Sequence, residues 1–118
     1  MNRSIPSPPL RVTDEGGQTT VCFAELPALT EDNVTAVGDA LTALIESRDR
    51  QDYVFDLAAV GFLTSIVLSK FITLNGRVRA RGGRLTLVNL RPTIRKVFTI
   101  SRLDSVLNIR DTDEVQAA

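Results

Sequence analysis

Histidine and tryptophan are absent from the 118 residues, and cysteine, methionine and tyrosine occur once each. Without histidine there is no Cys/His zinc site, no Cys/His pair and no Ser-His-Asp triad, so most common hydrolase chemistry is excluded. No catalytic residue, metal site or cofactor is expected. The lone Cys22 sits in an apolar stretch, and a chain of this length requires no disulfide staple. A single tyrosine, Tyr53, with five phenylalanines leaves few platforms for stacking bases. Glycine (7) and proline (5) are too sparse for a disordered or collagen-like chain. No apolar run approaches the roughly 20 residues of a membrane span, so none is expected. Met1 to Pro9 lacks the apolar core of a signal peptide, and a cytoplasmic location is the expectation.

The chain is 43% hydrophobic and 24% charged, the balance of one soluble globular domain with a single core. Its zero net charge hides an asymmetry. Residues 1–58 carry four basic groups (Arg3, Arg11, Arg48, Arg50) against ten acids, net −6, and residues 59–118 carry ten basic groups against four acids, net +6. Arg77, Arg79, Arg81 and Arg84 cluster, but their spacing suits the outer face and end of a helix, so no direct nucleic-acid partner is expected.

Ser4 to Pro9 cannot propagate helix or a central strand and reads as a loose leader, residues 1–9. Leu10 to Thr13 and Thr19 to Ala24 are β-prone runs around Asp14-Glu15-Gly16-Gly17, which predicts a hairpin of two antiparallel edge strands. Thr30 followed by Glu31 and Asp32 is an N-cap with acids in the first turn, opening a helix to about Ser47. Val34, Val37, Leu41, Leu44 and Ile45 form its apolar stripe. Tyr53 to Leu57 is a short apolar run that suits a buried strand. After the loop Ala58 to Leu63, the residues Val67, Leu68, Phe71, Ile72, Asn75 and Val78 recur at helical steps until Arg81-Gly82-Gly83. Leu85 to Leu90 reads as a strand, Pro92 opens a short helix, and Val106 to Ile109 closes the domain as a final strand. An acidic tail, 111–118, follows the domain of residues 10–110. Strands alternating with helices predict an α/β fold whose later strands are parallel, joined by right-handed crossovers. Such a sheet places ligands and partner surfaces beyond the carboxyl ends of its strands, here the loop from Ala58 to Ser65.

Four segments carry a resemblance over about a hundred residues. Val54-Phe55-Asp56-Leu57 with Val60-Gly61-Phe62, Arg81-Gly82-Gly83-Arg84-Leu85 with Leu87-Val88-Asn89, Pro92 to Phe98, and Leu103-Asp104 together resemble the STAS domain family, the bacterial anti-sigma factor antagonists and their relatives. The resemblance implies a STAS-like mixed sheet with parallel core strands, an N-terminal β-hairpin and flanking helices. The family's regulatory Asp-Ser-Ser-Gly-Leu falls on Thr64-Ser65-Ile66-Val67-Leu68, where one serine and the leucine are kept. It implies a non-enzymatic regulatory protein in which a kinase-type anti-sigma factor docks on Phe62, Leu63, Thr64, Ser65, Ile66, Ser69 and Lys70. A serine kinase of the same type would phosphorylate Ser65, with Thr64 as the second acceptor, and so control binding. A homodimer is left open. The alternative keeps the fold without the switch: a constitutive regulatory subunit or scaffold, for example of a transporter ATPase.

Physical chemistry supports a switch at this place. Ser65 is expected at an N-cap-like position, where unpaired backbone N–H groups and a positive dipole end tolerate a phosphate of about −1.5 to −2 charges that an apposed acidic surface would not. Ser65 reads equally as an ordinary cap, and Thr64 as a turn residue bonding local backbone. Val67 with Ile66 and Leu63 makes the loop apolar, as a docking patch or as deeper packing. Asp56 is read as a polar group facing the loop. A receiver-like enzyme would need further acids beside it and a catalytic lysine.

Overall fold

The structure, a computed structural model, describes residues 10–23, 28–47 and 51–110. The expected leader, the acidic tail and Ala24 at the end of the second expected strand lie outside those residues. Strands β1 (Arg11–Glu15) and β2 (Gln18–Cys22) form the hairpin, and a two-residue strand β3 (Ala28–Leu29) leads into helix α1 (Glu31–Glu46). Then follow β4 (Asp52–Asp56), β5 (Phe62–Leu63), α2 (Ser65–Ala80), β6 (Leu85–Val88), α3 (Pro92–Ile100), a 3₁₀ turn (Leu103–Ser105) and β7 (Asn108–Arg110).

The main sheet has the order β1-β2-β4-β6-β7, with β1 antiparallel and every other pairing parallel. A hairpin forms at Gly16-Gly17 because both residues take positive φ, 52° and 87°, which glycine adopts without a Cβ clash. Only β1 is an edge of the pair. β2, expected at an edge, also pairs with β4, since Thr19 and Val21 are buried and must be covered on both sides. A second, two-stranded parallel sheet, β3 with β5, had no periodicity to announce it in two residues per strand. The last strand starts two residues later than its pattern implied. Val106, the expected first residue, is exposed beyond the 3₁₀ turn, and Leu107 is buried in its place.

One core joins the sheet to all three helices. Val21, Phe55 and Leu87 of the sheet meet Leu41 and Ile45 of α1, Phe71 and Leu74 of α2, and Ile94 and Phe98 of α3. Phe23, Phe55 and Phe71 form an edge-on triad with ring centroids 5.6, 6.3 and 5.9 Å apart. On α2 the expected stripe Val67, Leu68, Phe71, Asn75 and Val78 is buried, and only Ile72 departs from it. Leu74 is fully buried, whereas Ile72 is exposed. Among the described residues no helix is long and apolar enough to cross a membrane.

The helix ends show why the helices start and stop where they do. Thr30 caps α1, its hydroxyl accepting from Asp32 N (3.2 Å), while Asn33 Oδ1 accepts from Thr30 N (3.0 Å). At the other end of α2, Gly82 N donates to Arg79 O and Gly83 N to Val78 O, both at 3.0 Å, a Schellman closure that needs the positive φ of Gly82. Buried Gly38 of α1 leaves room for the aliphatic stem of Lys70 on α2, since a Cβ there would stand 2.9 Å from Lys70 Cε.

Candidate functional site

The β4-to-α2 connection is held by groups from two other parts of the chain. Asp56 ends β4, and its Oδ1 accepts from Ala58 N and from Asn89 Nδ2, each at 3.0 Å. Asn89 follows β6 with φ 60°, a conformation that asparagine tolerates better than most residues. Arg91 Nε donates to Ala58 O at 2.9 Å. From the other side, Thr64 N donates to Leu29 O at 3.1 Å, extending the β3–β5 pairing to the threshold of α2. The loop is therefore tied to the β6–α3 connection and to the strand before α1. Asp56 faces the loop as a structural acceptor, as its place in the sequence suggested. Asn89 stood in one of the four segments carrying the resemblance, but only its contact with Asp56 reveals its role here. Nothing in the sequence marks Arg91.

Thr64, with φ −105° and ψ 169°, is the N-cap of α2, and Ser65 is its first helical residue. This moves Ser65 one position from the expected cap. The reason lies in the carbonyl of Thr64, which accepts the first helical bonds from Val67 N (3.0 Å) and Leu68 N (3.2 Å). The Thr64 hydroxyl makes no capping bond. It points inwards, buried and without a hydrogen-bond partner. The first turn of α2 thus has no side-chain cap and no acidic residue, so its N–H groups and dipole are unanswered.

The apolar residues of this segment split by direction. Leu63 and Val67 are buried in the core, Val67 filling the space at the helix start. Phe62 and Ile66 point outwards, 56% and 46% exposed, on either side of exposed Ser65. Ser69 is exposed one turn on, and Lys70 is half-buried along Gly38. Of the positions expected to meet a partner, Phe62, Ser65, Ile66 and Ser69 form the accessible patch, while Leu63 and the Thr64 hydroxyl lie beneath it.

An unsatisfied buried hydroxyl costs about 1–3 kcal/mol. Thr64→Val is therefore expected to raise the free energy of unfolding by about 1 kcal/mol, read from urea denaturation. At an ordinary threonine cap, losing the hydroxyl costs about 1 kcal/mol. A loss of that size at Thr64 would show that the hydroxyl caps α2 in solution.

Charges beyond this loop follow another pattern. Arg77 Nη1 pairs with Glu46 Oε2 at 2.6 Å, and Arg81 Nη2 donates to Glu46 O at 3.3 Å, so these two arginines close the end of α1. Arg79 and Arg84 line a pocket together with Arg110. Among the described residues no group of three or more His, Cys, Asp or Glu stands together as a metal site would need.

A mixed sheet with a β1–β2 hairpin, three parallel pairings and this loop before α2 defines the chain's class. Residues 21–115 match the STAS domain family, and the chain belongs to it. Its structure is similar to an anti-sigma-factor antagonist (STAS) domain protein from Planctomyces limnophilus, with TM-score 0.80 and 23% identity over 87% of this chain and 90% of that one. An anti-sigma factor antagonist from Mycobacterium paratuberculosis gives TM-score 0.77 and 21% identity, over 92% and 90% of the two chains. The Bacillus cell fate determinant SpoIIAA in its phosphorylated form gives 0.67 and 17%, over 92% and 96%. At these identities the likeness shows the fold. No curated protein matches the sequence at a significant level.

Proposed function

We propose that the chain is a non-enzymatic regulatory protein that binds a kinase-type anti-sigma factor through Phe62, Ser65, Ile66, Ser69 and Lys70, and that phosphorylation of Ser65 releases it. One observation carries the reading: an exposed serine opens a helix lacking any acidic or side-chain cap, between two large apolar side chains that the fold leaves in solvent. Apolar anchors around a polar centre suit a protein partner. A phosphate on Ser65 would sit on the free N–H groups of α2, so the domain keeps its fold while the patch gains charge. Thr64 is the weaker acceptor, since its hydroxyl must first turn outwards. The similar structures support this reading through what they are, anti-sigma factor antagonists, one of them phosphorylated.

Incubation with ATP and serine kinases of the source cytosol, followed by intact mass and site mapping, should place one phosphate on Ser65. Ser65→Glu should weaken binding of the kinase-type partner at least about tenfold, or about 1.4 kcal/mol, by calorimetric titration. Unchanged affinity would remove Ser65 from the interface. An unmodified chain that co-purifies with a transporter ATPase would favour the constitutive subunit.

A further inference from the structure

We propose that the domain holds a second binding site, for a small multiply charged oxyanion, in the pocket between the C-terminal half of α2, the start of β6 and β7. The pocket has a volume of about 520 Å³ and is lined by Asn75, Arg79, Arg84, Asn108 and Arg110 together with the Gly82-Gly83 turn. That volume falls within the range of roughly 300–1,000 Å³ typical of small-ligand sites. Asn75 lies ten residues beyond Ser65 on α2, about 15 Å along the helix, so this site and the β5–α2 patch are separate.

Three features point to an anion. First, no carboxylate is among the described lining residues, and Arg79, Arg84 and Arg110 make no ion pair with any described residue, in contrast to Arg77. Three arginines lining one concavity carry like charges, and a ligand with several oxyanion oxygens can answer them through bidentate bonds. Second, Asn75 stands on the buried stripe of α2, only 8% exposed, and lines this pocket as a polar residue. Its amide NH₂ offers a donor to an anion bound there. Third, a helix C-terminus ordinarily presents carbonyls that disfavour anions. Here the Schellman bonds of Gly82 and Gly83 occupy the carbonyls of Arg79 and Val78, which leaves the cationic side chains as the pocket's charge. Asn108 is held by its bond from Nδ2 to Thr86 Oγ1 at 2.9 Å, so this wall is fixed before any ligand arrives.

The shared chemistry is a cluster of anionic oxygens, supplied by phosphate or by several carboxylates. Titration calorimetry of the full chain at low ionic strength with pyrophosphate and, separately, with citrate distinguishes the two sources. One-site binding of either probe is expected, weakened at least about tenfold by Arg84→Gln and by Arg79→Gln, both exposed residues whose replacement leaves the core intact. Asn75→Ala should weaken binding as well, whereas Ser65→Ala should not change it. Binding of neither probe would overturn the proposal, as would affinity indifferent to both arginine substitutions. Binding of duplex DNA without competition from either probe would assign the arginines to nucleic acid instead.

Discussion

Gly83→Ala is expected to destabilise the domain by about 3 kcal/mol or more, a large fraction of the 5–15 kcal/mol that holds a typical domain together. The cause is steric and local. A Cβ at Gly83 would lie 2.0 Å from the carbonyl oxygen of Gln51 and 3.0 Å from its carbon, backbone atoms that no rotamer change can move. Retreat is blocked on both sides of the contact. Gly83 N is bonded to Val78 O at 3.0 Å, and the next residue is held twice: Arg84 N donates to Asp52 Oδ1 at 3.0 Å, and Tyr53 N donates to Arg84 O at 2.8 Å. Relieving the clash means separating the start of β4 from the start of β6, in the middle of the sheet. Urea denaturation of the variant should show this loss with an unchanged m-value. Gly82→Ala is the internal comparison. Its φ of 84° alone makes alanine costly, and the expected loss from that left-handed backbone is about 1–2 kcal/mol. Equal losses at the two positions would mean that the close approach of Gln51 is not what Gly83 serves.

The two glycines show what the sequence could and could not convey. Arg81-Gly82-Gly83 is legible as a helix stop because the cap chemistry is local. The contact of Gly83 with Gln51 links residues 32 positions apart and has no local signature. The same division runs through the whole fold. Helix starts at Thr30 and Pro92, the Gly16-Gly17 turn and the buried strand at Tyr53 follow from residues within one turn of each other, and the structure has them there. Pairing is non-local, so β2 was expected at an edge and β3–β5 was unforeseen. At the candidate site the location was legible, beyond the carboxyl end of β4. The direction of each side chain was not. Whether Thr64 or Ser65 caps α2 depends on Leu29 drawing in the Thr64 N–H, and whether Ile66 or Val67 faces solvent depends on how α2 is rotated on the sheet.

That rotation is set by Phe71, and Phe71→Ala is expected to cost about 4 kcal/mol. The ring is 1% exposed and meets both Phe23 and Phe55 edge-on, joining the middle of α2 to β4 and to the residue after β2. Truncation removes the apolar area and leaves a cavity beneath α2, which the surrounding helices and sheet, close-packed on every side, fill only in part. Phe71→Leu keeps most of the volume and should lose about 1.5 kcal/mol or less. Ile72→Ala, on the exposed side of the same helix, should change stability by about 0.5 kcal/mol or less. The three variants together locate the buried face of α2 by urea denaturation. They also separate stability from docking. If Phe71 fixes the rotation that exposes Ser65 and Ile66, Phe71→Leu should stay folded and yet bind the partner more weakly, because a shorter side chain lets α2 turn on the sheet. Unchanged partner affinity in a folded Phe71→Leu would mean that the Thr64–Leu29 bond and the β3–β5 pairing are enough to hold the patch in place.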